Sequence, residues 1–427
     1  MSETKSETTT TTTPPPLKEI LVIGGDPSIQ WSEYFSGRTT ASGAGVRVTQ
    51  CPWDALTLTC HSSGGPGGRP VALAAVGGGV RSGAFVPDVV LVRSAVRSAA
   101  PIDHRNALLG LAFAGVPCVN SAASLWRCQE KPLVHAALRG VRDRLGGPRA
   151  FPLIEQTYYP GWRAMTLPGD LPAVAKVGTV HAGLGKMRLD TPQQYLDLRS
   201  VVALGAHYLT TEPCVDWDYD FRLQKIGPHV RGFRRTSDNW KGQGWASRDV
   251  DVPVSPRQRA WLDAVAAALG MDILSIDGVH DRTTGRDYII EVNDSAIGLN
   301  VRHRDEDCRH IADLVLAKLS QVEAQYAAED AARAAKEEEA AKKADSGKEK
   351  KEGEGEDEEE ELQIDFASLA AACTGEGASV ARVGDPTALA LEAAHAEIAK
   401  LRARITELES NLARSREKTG ISKLLFG

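Results

Sequence analysis

No uninterrupted apolar run of roughly 18 residues occurs in the 427-residue sequence, so no membrane-spanning helix is expected. The opening stretch MSETKSETTTTTTPPP lacks the apolar core of a signal peptide, and residues 1–16 read as a disordered tail. Seven cysteines, at 51, 60, 118, 128, 214, 308 and 373, include no C-x-x-C pair. That excludes the usual zinc sites and a disulfide framework, and it predicts reduced thiols in a cytoplasmic protein. A dinucleotide loop is also missing, because VIGGDPS lacks the G-x-G-x-x-G spacing. A basic excess is missing as well. The formal charge is −6, but residues 322–362 hold 16 acidic and 7 basic side chains, whereas residues 1–321 hold 32 acidic and 35 basic. That balance is too weak for nucleic acid, which is not expected as a partner, and it suits a small anionic ligand.

What is present alternates strands with helices. LKEILVIGGD (17–26), DVVLVR (88–93) and VPCVN (116–120) read as buried strands, with a helix over NALLGLAFAG (106–115). This pattern predicts a parallel α/β domain over 17–120. From about 121 to 321 the texture changes. KPLVHAALRGV (131–141) reads as a helix and AVAKVGTVHAGLGKMRL (173–189) as strand, glycine loop, strand. DYDFRLQKIG (218–227) and VRGFRRT (230–236) read as an antiparallel pair. PRQRAWLDAVAAALG (256–270) is a helix ending at glycine, DILSIDGVHD with RDYIIEVND a hairpin, and CRHIADLVLAKLSQVEAQ (308–325) a closing helix. Residues 322–385 read as a charged helix running into a disordered acidic linker. Leu391, Ala394, Ile398, Leu401, Ile405, Leu408 and Leu412 then repeat at spacings of three and four, which predicts a coiled coil over 386–416 before a tail at 417–427.

Three clusters carry chemistry. The loop GTVHAGLGK is not a Walker A loop, since Leu184 follows Gly183, Met187 follows Lys186, and a strand rather than a helix comes next. A glycine hairpin of this kind can fold over a triphosphate, with Lys176 before it and Lys186 after it. In the second cluster, Glu212 and Pro213 can offer backbone groups to an adenine edge. Asp220, Arg222 and Gln224 follow at alternate strand positions and share a face. In the third, Glu291 and Asn293 share a face of one strand and a hairpin brings Asp277 beside them, a donor set for a hard cation, Mg²⁺ or Ca²⁺, bridging nucleotide phosphates. The order of the clusters is the layout of an ATP-grasp fold.

The chain also resembles the synapsins. The resemblance rests on WSEYFSGR, GLAFAGVPCVNSAASLW, EKPLVHA, FPLIEQTYYP, AKVGTVHAGLGKMRLD, EPCVDWDYDFRLQKIG, SDNWK, GRDYIIEV and RDEDCRHIADLVLAKLSQ, in order from about 17 to 321. It implies a pre-ATP-grasp α/β domain followed by an ATP-grasp domain, similar to glutathione synthetase, binding ATP with a divalent cation and without an established ligase reaction. Residue matching implies a nucleotide site lined by Lys131, Lys176, the loop His181, Ala182, Gly183, Leu184, Gly185 and Lys186, then Glu212, Pro213, Cys214, Val215, Lys241 and Glu291. It further implies dimers or tetramers, peripheral association with vesicle membranes or vesicle proteins, and cytoskeletal contact.

The sequence departs from that family in its Thr-rich N-terminus without arginine, its acidic linker and its heptad repeat. Asn293 completes a Glu-x-Asn pair that synapsins lack and ligases of this fold carry, and Asp277 stands where synapsins have Glu. A carboxylate–amine ligase working through an acyl phosphate is therefore the second expectation, with Arg222 or Arg234 steadying the transferred phosphoryl group.

Overall fold

The computed structural model describes residues 17–99, 101–166, 170–179, 181, 183–236, 240 and 248–348. The expected coiled coil, most of the acidic linker, the N-terminal tail, Ala182 and Lys241 lie outside these residues.

The first domain is built on a parallel sheet of β1 (Lys18–Ile23), β2 (Val46–Cys51), β5 (Val89–Val92) and β6 (Cys118–Val119), in the order β2-β1-β5-β6. The unbroken apolar runs of β1 and β5 follow from burial on both faces. Leu21, Ile23, Val90 and Val92 pack with α2 (Arg105–Phe113), α3 (Ala122–Arg127) and the hairpin β3 (Leu56–His61)–β4 (Val71–Val76). Ile20, Val22, Val89 and Leu91 pack on the other face with α1 (Trp31–Phe35) and with Ile311, Val315 and Leu319 of α7 (Arg304–Lys348). Asn120, fully buried at the end of β6, ties this domain to the next. Its amide donates to the Ile273 carbonyl at 2.7 Å and accepts from the amides of Asp272 and Ile273.

Two antiparallel sheets follow. The smaller, β7 (Thr157–Tyr159), β8 (Ala173–Val177), β9 (Lys186–Leu189) and β10 (Leu209–Pro213), runs β7-β10-β8-β9 and packs on α5 (Pro192–Val202). The larger contains β11 (Trp217–Ile226), β12 (His229–Thr236), β13 (Arg248–Val252), β14 (Ile273–Asp281) and β15 (Asp287–Asn293), in the order β13-β12-β11-β14-β15. It buries Phe221, Leu223, Leu274, Ile276 and Ile289 against α4 (Lys131–Arg144) and α6 (Pro256–Leu269). A parallel-sheet domain followed by this pair of sheets is a pre-ATP-grasp domain joined to an ATP-grasp domain.

Helix α7 begins earlier than the expected 308 and runs without a break into the charged helix expected from 322, as far as Lys348. Past the apolar stripe it is held by polar contacts to the β3–β4 loop. Arg69 stands 4.4 Å over the Tyr326 ring and bonds Asp330 at 2.6 Å and Glu329 at 3.2 Å, and Arg333 donates to the Gly67 carbonyl at 2.8 Å.

Candidate functional site

The two antiparallel sheets enclose a cleft. β8 and β9 carry the expected lysines in direct register, Lys176 opposite Lys186. Cross-strand partners project to the same face, so both ammonium groups enter the cleft. Between them the chain turns tightly. Gly183 and Gly185 have φ of +74° and +64°, and the amides of Leu184 and Lys186 donate to the carbonyls of His181 and Gly183. Such angles favour glycine over any residue with a Cβ.

One chamber, of about 350 Å³, is lined by Lys131, Lys176, His181, Gly183, Leu184 and Lys186 from the smaller sheet and α4. Arg222, Asp277, Glu291, Asn293 and Asp294 close it from the larger sheet. A second chamber, of about 440 Å³, shares Lys186 and Ile290 with the first and is lined by Glu212, Pro213, Cys214 and Val215 together with Ile154, Val174 and Trp217. The first chamber gathers four cations around Asp277, Glu291 and Asp294, and the second combines apolar walls with the charged side chains of Arg188, Asp216 and Arg282.

The charges are closely paired. Lys176 Nζ lies 2.7 and 2.9 Å from the two Glu212 oxygens, and Gln156 donates to Glu212 at 2.8 Å. Burial works against the Lys176 ammonium, but the carboxylates of Glu212 and Glu291 outweigh it and hold its pKa above the usual lysine value. Lys186 is pushed down, by burial first and then by Lys176 opposite. Lys131 Nζ sits 2.6 Å from Glu291 Oε1. Burial favours the neutral Glu291 acid, yet Lys131 and Lys176 hold its pKa below the usual carboxylate value. Arg222 grips Asp277 through two bonds of 2.8 and 2.9 Å, and Asn293 Nδ2 donates to Asp277 at 2.9 Å. This fork outweighs burial and keeps Asp277 ionised. His181 is lowered by burial and by Lys131, which favours its neutral form.

The alternation over 218–224 places its residues as the strand period requires. Arg222 meets Asp277, Asp220 meets Arg235, and Gln224 donates to Asp307 at 2.8 Å. Arg234 pairs in register with Phe221, the face opposite Arg222, and stacks 3.8 Å over the Tyr219 ring. Of the two arginines expected at a phosphoryl group, the fold puts Arg222 in the cleft and takes Arg234 out of it. Gln156, Asp294 and Trp240 were not singled out from the sequence. Gln156 and Trp240 lie inside FPLIEQTYYP and SDNWK, and the Trp240 ring lies 5.3 Å from Lys186 Nζ. Asp294 directly follows the Glu-x-Asn pair, and burial raises its pKa.

Asp277 and Glu291 are register partners across β14 and β15, with Asn293 two residues on. Two carboxylates and an amide side by side fit a hard divalent cation bound partly through water. Among the described residues, no group of three His, Cys, Asp or Glu side chains forms a self-contained metal site.

A glycine hairpin with two opposed lysines, a hinge slot, and a facing sheet bearing Asp and Glu-x-Asn define the ATP-grasp class of protein. The comparisons narrow it further. Residues 15–118 match the Synapsin pre-ATP-grasp domain, and residues 120–321 match the family described as Synapsin, ATP binding domain. The chain belongs to the synapsin family. It is 33% identical to Synapsin of Drosophila melanogaster over 310 residues, 71% of this chain and 30% of the length of the fly protein. Among solved structures, D-alanyl-alanine synthetase A from Vibrio cholerae O1 shares the fold, with a TM-score of 0.50 at 10% identity over 71% of this chain and 98% of that one.

Proposed function

We propose that the cleft binds ATP together with a divalent cation, Mg²⁺ or Ca²⁺, and that occupancy controls self-association and peripheral attachment to vesicle membranes. The observation that carries the nucleotide reading is the register of Lys176 against Lys186. Like charges directly opposite destabilise a sheet; Glu212 offsets Lys176 from one side, and a polyphosphate in the chamber would offset both lysines. The triphosphate lies in the chamber of Lys131, Lys176, Lys186 and Arg222, and the base in the slot along Glu212 to Val215. Family resemblance adds Lys241 and the loop from His181 to Lys186 to the proposed nucleotide contacts. Glu291, Asp277 and Asn293 supply oxygens to the cation, which neutralises phosphate charge. Membership of the synapsin family supports dimers or tetramers and vesicle or cytoskeletal partners. Among the described residues no helix is long and apolar enough to cross a membrane, so attachment through these residues is at the surface.

A ligase is the second reading, and one observation favours it. Asn293 and Arg222 both hold Asp277 inside the phosphate chamber, so the Glu-x-Asn pair is built into the site. The two readings separate in one experiment. Purified full-length protein with MgATP is screened for ADP release against pools of carboxylates and amines, and sedimentation velocity is run with and without ATP. Acceptor-dependent ADP release supports the ligase. ATP-dependent oligomers without turnover support the first reading.

A further inference from the structure

Away from the cleft, α7 and the larger sheet bring two metal-ligating side chains together. The turn from β11 to β12, Gly227–Pro228, presses against α7. Gly227 has φ of +54°, and a Cβ there would stand 3.1 Å from Leu314 Cδ1. His310 lies one turn before Leu314 and shares its face of α7, and His229 opens β12. The two imidazoles meet with ring centroids 3.4 Å apart and planes within 12° of parallel. Neither histidine lines either chamber of the cleft.

Aromatic pairs gain most from offset or edge-to-face contact, so stacking with this much overlap contributes little to holding the rings together. The ring nitrogens are not committed to the fold. Among the described residues the His229 ring has no hydrogen-bond or ion-pair partner. His310 is 18% exposed, and its Nε2 lies 3.7 Å from Glu306 Oε1, beyond hydrogen-bond reach. Two metal–nitrogen bonds of about 2.0–2.1 Å span up to about 4 Å. Rings this close can therefore share one ion after small rotations about their soft χ2 torsions. The surroundings accept the charge. Arg231, on the same face of β12 as His229, is already neutralised by Glu306 at 2.8 Å and by Asp307 at 3.1 Å.

Among the described residues no third His, Cys, Asp or Glu completes the set, so water fills the remaining positions. Neutral imidazole suits borderline transition metals rather than the hard Mg²⁺ or Ca²⁺ expected in the cleft. We propose that His229 and His310 chelate one such dication, of the Zn²⁺ and Ni²⁺ class, which ties the start of β12 to α7. The site goes beyond the nucleotide reading and does not depend on it.

The test titrates Zn²⁺, and separately Ni²⁺, into the full-length protein by calorimetry, with excess Mg²⁺ present to occupy hard oxygen sites. Saturable binding is expected. His229→Gln and His310→Gln should each weaken it at least about tenfold, since even an outer-shell partner of a metal ligand contributes about 10- to 100-fold. The melting temperature of the wild type should rise with the metal, and that of either variant should not. Circular dichroism of both variants should match wild type, which shows that they are folded, and their MgATP affinity should be unchanged, which scores the nucleotide site separately. No saturable binding of either ion, binding that survives either substitution at wild-type strength, or a site that excess Mg²⁺ abolishes would overturn the proposal.

Discussion

Replacing Lys176 by methionine separates two roles that the structure gives this side chain. Its ammonium group faces the phosphate chamber and also neutralises Glu212, whose side chain is 5% exposed. Breaking a buried pair from one side strands the other charge, at about 3–5 kcal/mol. Gln156 still donates to Glu212 at 2.8 Å, so the lower end, about 3 kcal/mol, is expected for Lys176→Met. In the double variant Lys176→Met/Glu212→Gln no charge is stranded, and stability should return to within about 1 kcal/mol of wild type. Nucleotide affinity should not return with it. A lysine–phosphate contact contributes about 1.5–3 kcal/mol, so both variants should bind ATP roughly 10- to 150-fold more weakly. Urea denaturation followed by tryptophan fluorescence gives the first quantity and calorimetry the second. Equal destabilisation in the single and double variants would refute the pairing argument. Wild-type ATP affinity in either would refute the placement of Lys176 at the phosphates.

Other consequences follow from single features. Because burial and Lys176 depress the Lys186 pKa, part of the protein carries a neutral Lys186 at alkaline pH, and a bound polyphosphate restores the charge. ATP binding should therefore take up a proton and weaken as pH rises through the lowered pKa toward the ordinary lysine value, and Lys186→Arg should flatten that profile. A flat wild-type profile would mean that Lys186 does not face the phosphates. Asn120→Ala leaves one carbonyl and two amides buried without their partner, at about 1–3 kcal/mol each, so a loss of at least about 3 kcal/mol is expected by urea denaturation. A peptide of residues 388–416 is expected to show helicity that rises with concentration, since Ile398 and Ile405 fall at one core position and Leu401 and Leu408 at the other, and Ile405→Lys should abolish the rise. Concentration-independent helicity would retire the coiled coil.

Much of the architecture was legible because burial leaves periodic traces. β1 and β5 read as solid apolar runs whereas β2, VRVTQC, was not singled out, and the alternation of Asp220, Arg222 and Gln224 placed all three on one face. Lys176 and Lys186 were recognisable as flanking a glycine hairpin, but their direct opposition depends on the register of β8 with β9, which the residues alone do not specify. The fork between Arg222 and Asp277 likewise needs two strands distant in sequence, β11 and β14, brought into register. Helix α5 was not singled out, although its signal is local: Thr191 and Gln194 form a reciprocal capping box with Pro192 in the first turn. The helical continuation of α7 past 322 was read from its charge and alanine content, but its anchoring was not legible. Beyond Val322 its sequence is alanine and charge without an apolar stripe, and its anchors are Arg69 and Gly67, more than 250 residues earlier.

The proposed ATP site works with a divalent cation. Glu291 and Asp277 are neutralised by Lys131 and Arg222, cations that the phosphates also need, so binding frees two carboxylates beside the triphosphate. Two unit charges about 4 Å apart repel by several kcal/mol at intermediate dielectric, and a divalent cation offsets that repulsion. The direct measurement is calorimetric titration of ATP into the full-length protein in Mg²⁺ and again in EDTA. Saturable binding in Mg²⁺ that weakens at least about tenfold in EDTA is predicted. Equal affinity under the two conditions, or no binding in either, would contradict it.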